Sequence, residues 1–281
     1  AIEETTMRKL TRNLVLAGLA GMPAVLAGTP AMAAEAASPH TFTSNVALVS
    51  NYIFRGLTQT FGKPAIQGGM DYAHSSGFYA GLWGSSISSA QYAGGSTEID
   101  YYLGYNGSLG GDWGWTVGFY GYAYPGADYM HALPAGTYPA QEYNTEEVNV
   151  GVSWKFVSLK LSSTTGDFFG SNTNTGFTSG SSGSTYLDLT ANVPLPNDFT
   201  LVLHAGSQDI KTKRSSDNAD PSYTDYKIGI TKAFKGGWTV GLAYSEADNE
   251  TYYNNTASAM DGTKTHDLGR GVTVFSVSRV F

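Results

Sequence analysis

Charged residues recur in this sequence at alternate positions of short segments whose other positions are apolar. Glu98 and Asp100 alternate with Ile99 and Tyr101, and Glu147 stands in a similar run. Because side chains alternate between the two faces of a β-strand, these charges share one polar face. If the fold encloses that face, it could attract or repel ions that pass along it. The charged candidates for such a lining are Arg55, Asp71, Glu98, Asp100, Glu147, Lys160, Asp188, Asp225 and Lys227.

The sign of these charges carries a prediction about ions. Six acids outnumber three bases in the set, which predicts a mild preference for cations if the enclosed space conducts. The alternative is that the charges pair across the interior and plug it. Arg55 is expected where the first strand reaches the outer rim, either narrowing the passage or pairing with Glu98 or Asp100.

Aromatic and imidazole side chains extend the same polar face. Tyr120, Tyr122 and Tyr124 alternate along one segment, and Tyr102 lies on the neighbouring segment. Such a stripe could stack on sugar or base rings, although aromatic rings more often fill space. His204 is the one histidine expected inside a strand, and its parity places it on the enclosed face.

The sequence does not favour an enzyme. Nucleophilic catalysis needs a nucleophile, a base and an orienting group that converge, and the chain has no Cys. His266 with loop acids such as Asp209, Asp217 or Asp220 is the nearest candidate for a catalytic group, but acids in loops are usually solvated. No spacing indicates a catalytic site, a metal site or a cofactor, although calcium binding by acidic outer loops stays open.

The composition is unusual for a soluble protein. Charged residues make up 14% of the chain, against roughly 25% in ordinary globular domains, while aromatic residues make up 13%. The net charge of -7 argues against nucleic acid as a partner. A soluble β-sandwich or lipocalin-like barrel would need a charged exterior, which this chain lacks.

About twelve alternating segments follow one another between residues 41 and 281, separated by turns that are alternately short and long. An even number of strands with short turns at one end is typical of bacterial outer-membrane barrels. The sequence therefore predicts an all-β fold: a single closed antiparallel transmembrane β-barrel with short periplasmic turns and long extracellular loops.

Aromatic residues at the ends of these segments support the same topology. One set falls at the predicted periplasmic strand ends, where it would form an interfacial girdle: Tyr72, Tyr105, Trp113, Trp154, Phe199, Trp238 and Phe281. In the last segment, Phe275, Val277 and Phe281 share one face and resemble the signal that barrels present to their insertion machinery.

The first residues have the pattern of an exported protein. Arg8, Lys9 and Arg12 precede a short apolar stretch at residues 14–26, and residues 31–33 read Ala-Met-Ala. This is the pattern of a secretory signal peptide. The predicted organisation is upstream residues and signal peptide at 1–33, a short periplasmic segment at 34–40 and the barrel at 41–281, integral to the bacterial outer membrane. The role of residues 1–6 stays open.

Several segments resemble the TorF family of porins, which are proteobacterial outer-membrane proteins. The most specific segment is residues 50–59, Ser-Asn-Tyr-Ile-Phe-Arg-Gly-Leu-Thr-Gln. Residues 77–85, 98–100, 124–126 and 223–227 resemble the family's segments in the same order. The resemblance covers essentially the whole chain after residue 33 and implies a porin-like barrel, without indicating its solute.

The function predicted from these observations is passive diffusion of small hydrophilic solutes or ions through an outer-membrane channel. The expected partners are outer-membrane lipid, the barrel-insertion machinery and those solutes; the oligomeric state stays open. The first alternative is a non-conducting barrel that acts through its extracellular loops as an adhesin, receptor or structural protein. An outer-membrane hydrolase is the second alternative.

Overall fold

The computed structural model of the protein describes residues 38–281, so the predicted signal peptide at residues 1–33 lies outside the described residues. The strands are β1 (His40–Val49), β2 (Ile53–Phe54), β3 (Leu57–Thr58), β4 (Ala65–His74), β5 (Phe78–Ser86), β6 (Thr97–Gly110), β7 (Trp113–Ala123), β8 (Thr145–Trp154), β9 (Val157–Thr164), β10 (Thr185–Leu195), β11 (Phe199–Asp209), β12 (Tyr223–Ala233), β13 (Trp238–Ala247), β14 (Thr256–Ser258), β15 (Asp261–His266) and β16 (Val272–Val280). In the described part of the chain, one short α-helix, Glu250–Tyr253, and three single turns of 3-10 helix lie in connections. Within residues 38–281, no helix is long and apolar enough to cross a membrane.

Twelve of the strands form a closed antiparallel barrel in which sequence neighbours pair. The barrel closes where β1 pairs with β16, for example at Ala47 opposite Ser278. Two small hairpins, β2-β3 and β14-β15, stand apart from the barrel wall. The predicted closed barrel of about twelve strands is confirmed.

Alternation of side chains gives the wall an apolar outside and a polar inside. In β6, Leu103 is 50% exposed on the outside, whereas Glu98 and Asp100 on the inside are 1% and 2% exposed. The same pattern exposes Val150 and Ile228 on later strands. An apolar band around a closed barrel, which leaves no unpaired strand edge, is the surface that membrane hydrocarbon requires.

The two ends of the barrel differ in the length of their connections. The short turns at one end are residues 75–77, 111–112, 155–156, 196–198 and 234–237. At the other end the connections are residues 50–64, 87–96, 124–144, 165–184, 210–222 and 248–271, which include the small hairpins and the helix. Outer-membrane barrels have their short turns in the periplasm, so we refer to these ends as periplasmic and extracellular.

The aromatic residues of the predicted girdle all lie at the periplasmic end of the wall. Trp113, Trp154 and Trp238 are 50%, 42% and 45% exposed on the outer face, and the rings of Trp113 and Trp154 are 6.2 Å apart. Tyr72, Tyr105, Phe199 and Phe281 lie at the same level of the barrel. Phe275 and Val277 lie higher on β16, on the same outer face as Phe281.

The first strand is shorter than the sequence predicted. The prediction continued it to Arg55, but β1 ends at Val49. The Asn51 side chain accepts hydrogen bonds from the hydroxyls of Thr58 (2.5 Å) and Thr60 (3.0 Å), and such local side-chain bonds compete with a sheet ladder. Residues 50–64, which include the modest outer loop predicted at 57–63 and Arg55 expected at the rim, therefore turn into the barrel instead.

Candidate functional site

A cavity of about 180 Å³ lies inside the barrel, along the wall formed by β8 to β13. Polar side chains supply much of its lining, including Asn149, Ser158, Thr190 and Asn192. The inward turn at residues 53–56 forms one end of the cavity, and Thr200 and Thr231 line it near the periplasmic end. The cavity is therefore a polar chamber below an inserted segment.

The inserted segment is a hairpin whose tip crosses the barrel. Its strands β2 and β3 pair at Ile53–Thr58 and Phe54–Leu57, and the two turn residues, Arg55 and Gly56, have φ angles of 47° and 78°. Positive φ at both central positions is the geometry of a type I′ turn. A Cβ at Gly56 would lie 2.5 Å from Cβ of Asp225 and 3.0 Å from Cβ of Ala247, so the tip presses against β12 and β13.

Arg55 fastens this tip to two further strands. Its guanidinium donates to both carboxylate oxygens of Glu147 at 2.9 and 2.7 Å and to Oε1 of Gln208 at 2.8 Å. The guanidinium carbon lies 4.1 Å from the ring centre of Tyr186. The predicted pairing with Glu98 or Asp100 is wrong, because the inward turn carries Arg55 across the barrel to β8. We call this cluster of Arg55, Glu147 and Gln208 the latch.

His204 is the centre of a second polar network, on the adjacent wall. Its Nε2 lies 3.0 Å from Oδ1 of Asp225 and 3.0 Å from the Tyr186 hydroxyl. Its Nδ1 lies 2.9 Å from the Thr190 hydroxyl and 3.5 Å from Oδ1 of Asp188. Two carboxylates thus flank one imidazole, and both acids contact groups of the wall itself.

The structure divides the predicted pore-lining residues into two groups. Nine of them line the cavity: Arg55, Tyr120, Tyr122, Glu147, Lys160, Asp188, His204, Asp225 and Lys227. Five face inward without reaching it: Asp71, Glu98, Asp100, Tyr102 and Tyr124. The acids of the second group are held by phenols, since Tyr52 donates to Glu98 at 3.2 Å, Tyr102 to Asp71 at 2.5 Å and Tyr120 to Asp100 at 2.8 Å.

The tyrosine stripe packs against other aromatic rings. Tyr102 and Tyr120 stack at 5.1 Å, and Tyr124 stacks on Tyr92 of an extracellular loop at 4.4 Å. Phe169, from the loop at 165–184, packs on Tyr122 at 5.6 Å. These rings fill the extracellular half of the barrel on this side.

Sequence reasoning missed several residues of the interior. Tyr186, Gln208 and Tyr52 are 3%, 2% and 7% exposed and supply contacts to Asp225, Arg55 and Glu98. Tyr186 and Gln208 share inward parity with Asp188 and His204, so alternation alone could have identified them. The turn pattern of the sequence predicts a loop at residues 207–223, which includes Gln208, but β11 continues to Asp209.

The residues considered for an outer-rim catalytic site do not come together. Asp217 is paired with Arg214 at 2.6 Å, and Asp209 with Lys211. His266 packs against the ring of Phe61 at 5.1 Å. His40 and His74, which were expected outside strands, are terminal residues of β1 and β4.

Comparison with known proteins places the chain in a family. A profile described as "Bacterial protein of unknown function (Gcw_chp)" matches residues 33–281. The chain belongs to this family. No curated protein is similar enough to the sequence to count as a match.

Solved structures similar to this barrel include two porins and a channel. The KdgM porin is 7% identical with a TM-score of 0.49, over 86% of this chain and 98% of that one. The NanC porin is 10% identical with a TM-score of 0.48, over 85% and 98% of the two chains. An outer membrane channel from Pseudomonas putida F1 is 11% identical with a TM-score of 0.46, over 88% and 97%.

Proposed function

We propose that this protein is a porin-type channel of the bacterial outer membrane, through which small hydrophilic solutes or ions diffuse passively. The observation that carries the proposal is the polar cavity of about 180 Å³ inside a closed barrel with an apolar exterior. A barrel of twelve strands lies between the eight that leave room for side chains and the sixteen or more that leave a wide pore. Side chains and inserted segments therefore decide its conductance.

The sequence resemblance to the TorF family of porins supports the same proposal. Residues 50–59, the most specific segment of that resemblance, form most of the inserted hairpin and its latch residue. In the proposed channel the hairpin is the narrowest point, because it lies between the cavity and the extracellular mouth. The lining offers hydroxyls, amides and charges, and we propose no catalytic role for it.

The test is single-channel conductance of the purified chain, residues 34–281, in a planar lipid bilayer. Discrete openings are the expected result, and a salt gradient across the bilayer measures whether cations or anions pass more readily. Folding is checked first by the change in gel mobility on heating. A folded and inserted barrel that never conducts, in wild-type or hairpin variants, would contradict the proposal.

One set of contacts favours the alternative of a non-conducting barrel that acts through its loops. The inserted hairpin and the rings of Tyr92, Tyr124 and Phe169 fill much of the extracellular half. The two functions differ in what loosening the hairpin does. If the protein is a channel, release of the hairpin raises the conductance. If it is a plugged interaction protein, the barrel stays closed after the hairpin is released.

A further inference from the structure

The charged residues of the cavity differ in their hydrogen bonds and ion pairs with the barrel wall. Three bases and three acids line it, besides His204: Arg55, Lys160, Lys227, Glu147, Asp188 and Asp225. The partners of the acids decide how strongly each carboxylate can interact with a solute in the cavity.

Each carboxylate in the cavity already accepts hydrogen bonds from the wall. Both oxygens of Glu147 accept from Arg55. Oδ2 of Asp225 accepts from Tyr186 at 2.8 Å, and its Oδ1 lies 3.0 Å from His204. Oδ1 of Asp188 accepts from Thr190 at 2.6 Å, and Asp188 lies directly across from Lys160 on the adjacent strand. A cation entering the cavity would compete with these contacts.

Lys227 differs from the acids in its contacts with the barrel wall. It lines the cavity from β12, opposite His204 on one side and Ser245 on the other, and within residues 38–281 its ammonium makes no hydrogen bond or ion pair at contact distance. Asp188 and Asp225 are the acids whose charges act on the Lys227 ammonium, and each of them has the closer contacts described above. An ammonium in an enclosed space gains most from an anion that it can contact directly.

Neutral hydrogen-bond donors lie in the same cavity. The side-chain amides of Asn149 and Asn192 and the hydroxyl of Thr231 line it, and none of the three forms a side-chain hydrogen bond within the described residues. Amide and hydroxyl groups can donate to a carboxylate without adding charge. The cavity volume of about 180 Å³ suits a molecule of a few heavy atoms.

We propose that the cavity is a binding site for small carboxylate solutes, with Lys227 as its charged anchor. The inference rests on the proposed channel, whose solute class it names. The six acids of the predicted lining either have partners in the wall or lie outside the cavity. Glu147, Asp188 and Asp225 are engaged by the wall, and Asp71, Glu98 and Asp100 lie outside the cavity.

The test compares propionate with propionamide, its uncharged isostere, by saturation-transfer NMR on the folded barrel in a non-ionic detergent at low salt. We expect propionate to bind at least tenfold more tightly than propionamide. This comparison uses the wild-type chain alone, so it does not depend on how a variant folds. Equal binding of the two molecules, or no detectable binding of propionate, would overturn the proposal.

Variants then assign the site. Lys227→Gln is expected to weaken propionate binding at least fivefold and Lys227→Arg to retain most of it, while Lys264→Gln changes an exposed loop lysine paired with Asp261 and should have no effect. Propionate binding that is unchanged in Lys227→Gln would refute the role of Lys227. Propionate binding without conductance would contradict the proposed channel but not the proposed binding site. Conductance without propionate binding would contradict the binding site but not the channel.

Discussion

At the scale of single residues, Arg55 is held by both its backbone conformation and its side-chain contacts. It occupies a left-handed conformation that costs a non-glycine residue about 1 kcal/mol, with a φ of 47°. Its side chain and that of Glu147 are 7% and 3% exposed. Bidentate hydrogen bonds and ring stacking are the interactions that suit an enclosed guanidinium. Together they offset the strained backbone and the lost hydration.

Loss of either charge of the latch should therefore loosen the hairpin. Removing one member of a buried ion pair costs about 3 kcal/mol, or roughly two orders of magnitude in an equilibrium constant. We expect Arg55→Gln and Glu147→Gln each to accelerate hydrogen exchange of the Thr58 and Gln59 amides, which bond to Leu268 and Tyr52, by up to that factor.

The double variant Arg55→Gln/Glu147→Gln leaves no unpaired charge, so its effect on amide exchange should be smaller than the sum of the two single effects. Arg214→Gln, which removes an exposed pair in an extracellular loop, serves as the control and should leave both amides unchanged. Additive effects of the two latch substitutions would show that the ion pair does not hold the hairpin.

A separate prediction concerns the pH dependence of the exposed pair of Arg214 and Asp217. Hydrogen bonds from the Arg214 guanidinium and then from the Ala219 amide lower the pKa of Asp217 to about 2. Because the folded pKa lies below the ordinary value of about 3.9, the favourable interaction is present above that value and is lost as the pH falls through about 2. A carboxyl carbon titration by NMR should give this midpoint, and Arg214→Gln should raise it. A midpoint near the ordinary value in wild type would contradict the contact.

Residues on the outer face should tolerate charge poorly. Leu103 and Val150 are 50% and 55% exposed on the outside of the barrel, and an Arg facing lipid at mid-membrane costs roughly 2 to 4 kcal/mol. We expect Leu103→Arg or Val150→Arg to reduce folding into lipid vesicles, measured as the heat-modifiable fraction on a gel. Asn149→Arg, which places the same side chain in the polar cavity, is the matched control. Equal loss at inward and outward positions would contradict the assigned faces.

At the scale of elements, the inserted hairpin lies inside the barrel, and Gly56 at its tip approaches β12 and β13 closely. A side chain at residue 56 would be strained by the φ of 78° and would meet Cβ of Asp225 at 2.5 Å. We expect Gly56→Val to displace the tip and to raise single-channel conductance severalfold over wild type. The measurement is the same planar-bilayer recording.

The control for this substitution is Gly136→Val, at a residue with a φ of 81° and no atom within 4 Å of the added Cβ. It introduces the same backbone strain in an extracellular loop without pressing on the barrel wall. We expect its conductance to match wild type. If Gly56→Val conducts no more than this control, the hairpin does not set the constriction.

The strands could be predicted from the sequence, whereas the hairpin could not. Alternation in β6 and β8 is local, so Leu103 and Val150 were assigned to the outer face from their neighbours alone. Tyr52 and Phe54 continue the parity of β1 in sequence, yet both lie inside the barrel. The contacts that hold them there join distant positions; Arg55 and Glu147 are 92 residues apart.

At the scale of the whole molecule, closure brings these distant groups together. The cavity is lined by strands β7 to β13, by β16 and by the hairpin that follows β1. Its charges act in a space that exists because β1 meets β16. Alternation in the sequence predicted an enclosed polar face, but the direct partners of each charge depended on register and on the inserted segment.

Closure itself can be tested by cross-linking, because the chain contains no Cys. Ala47 lies opposite Ser278 at the seam between β1 and β16, and Ser276 lies opposite Val49. Directly opposed residues are within the Cα distance that a disulfide allows, whereas a pair offset by two residues is about 7 to 8 Å apart. We expect Ala47→Cys/Ser278→Cys to oxidise to an intramolecular disulfide in folded barrels and Ala47→Cys/Ser276→Cys to remain reduced. Non-reducing gels of the denatured chains distinguish the two variants. A disulfide between residues 47 and 278 closes almost the whole barrel sequence into one loop, which changes the mobility of the denatured chain. Efficient cross-linking of the offset pair instead would mean that the seam has slipped by two residues.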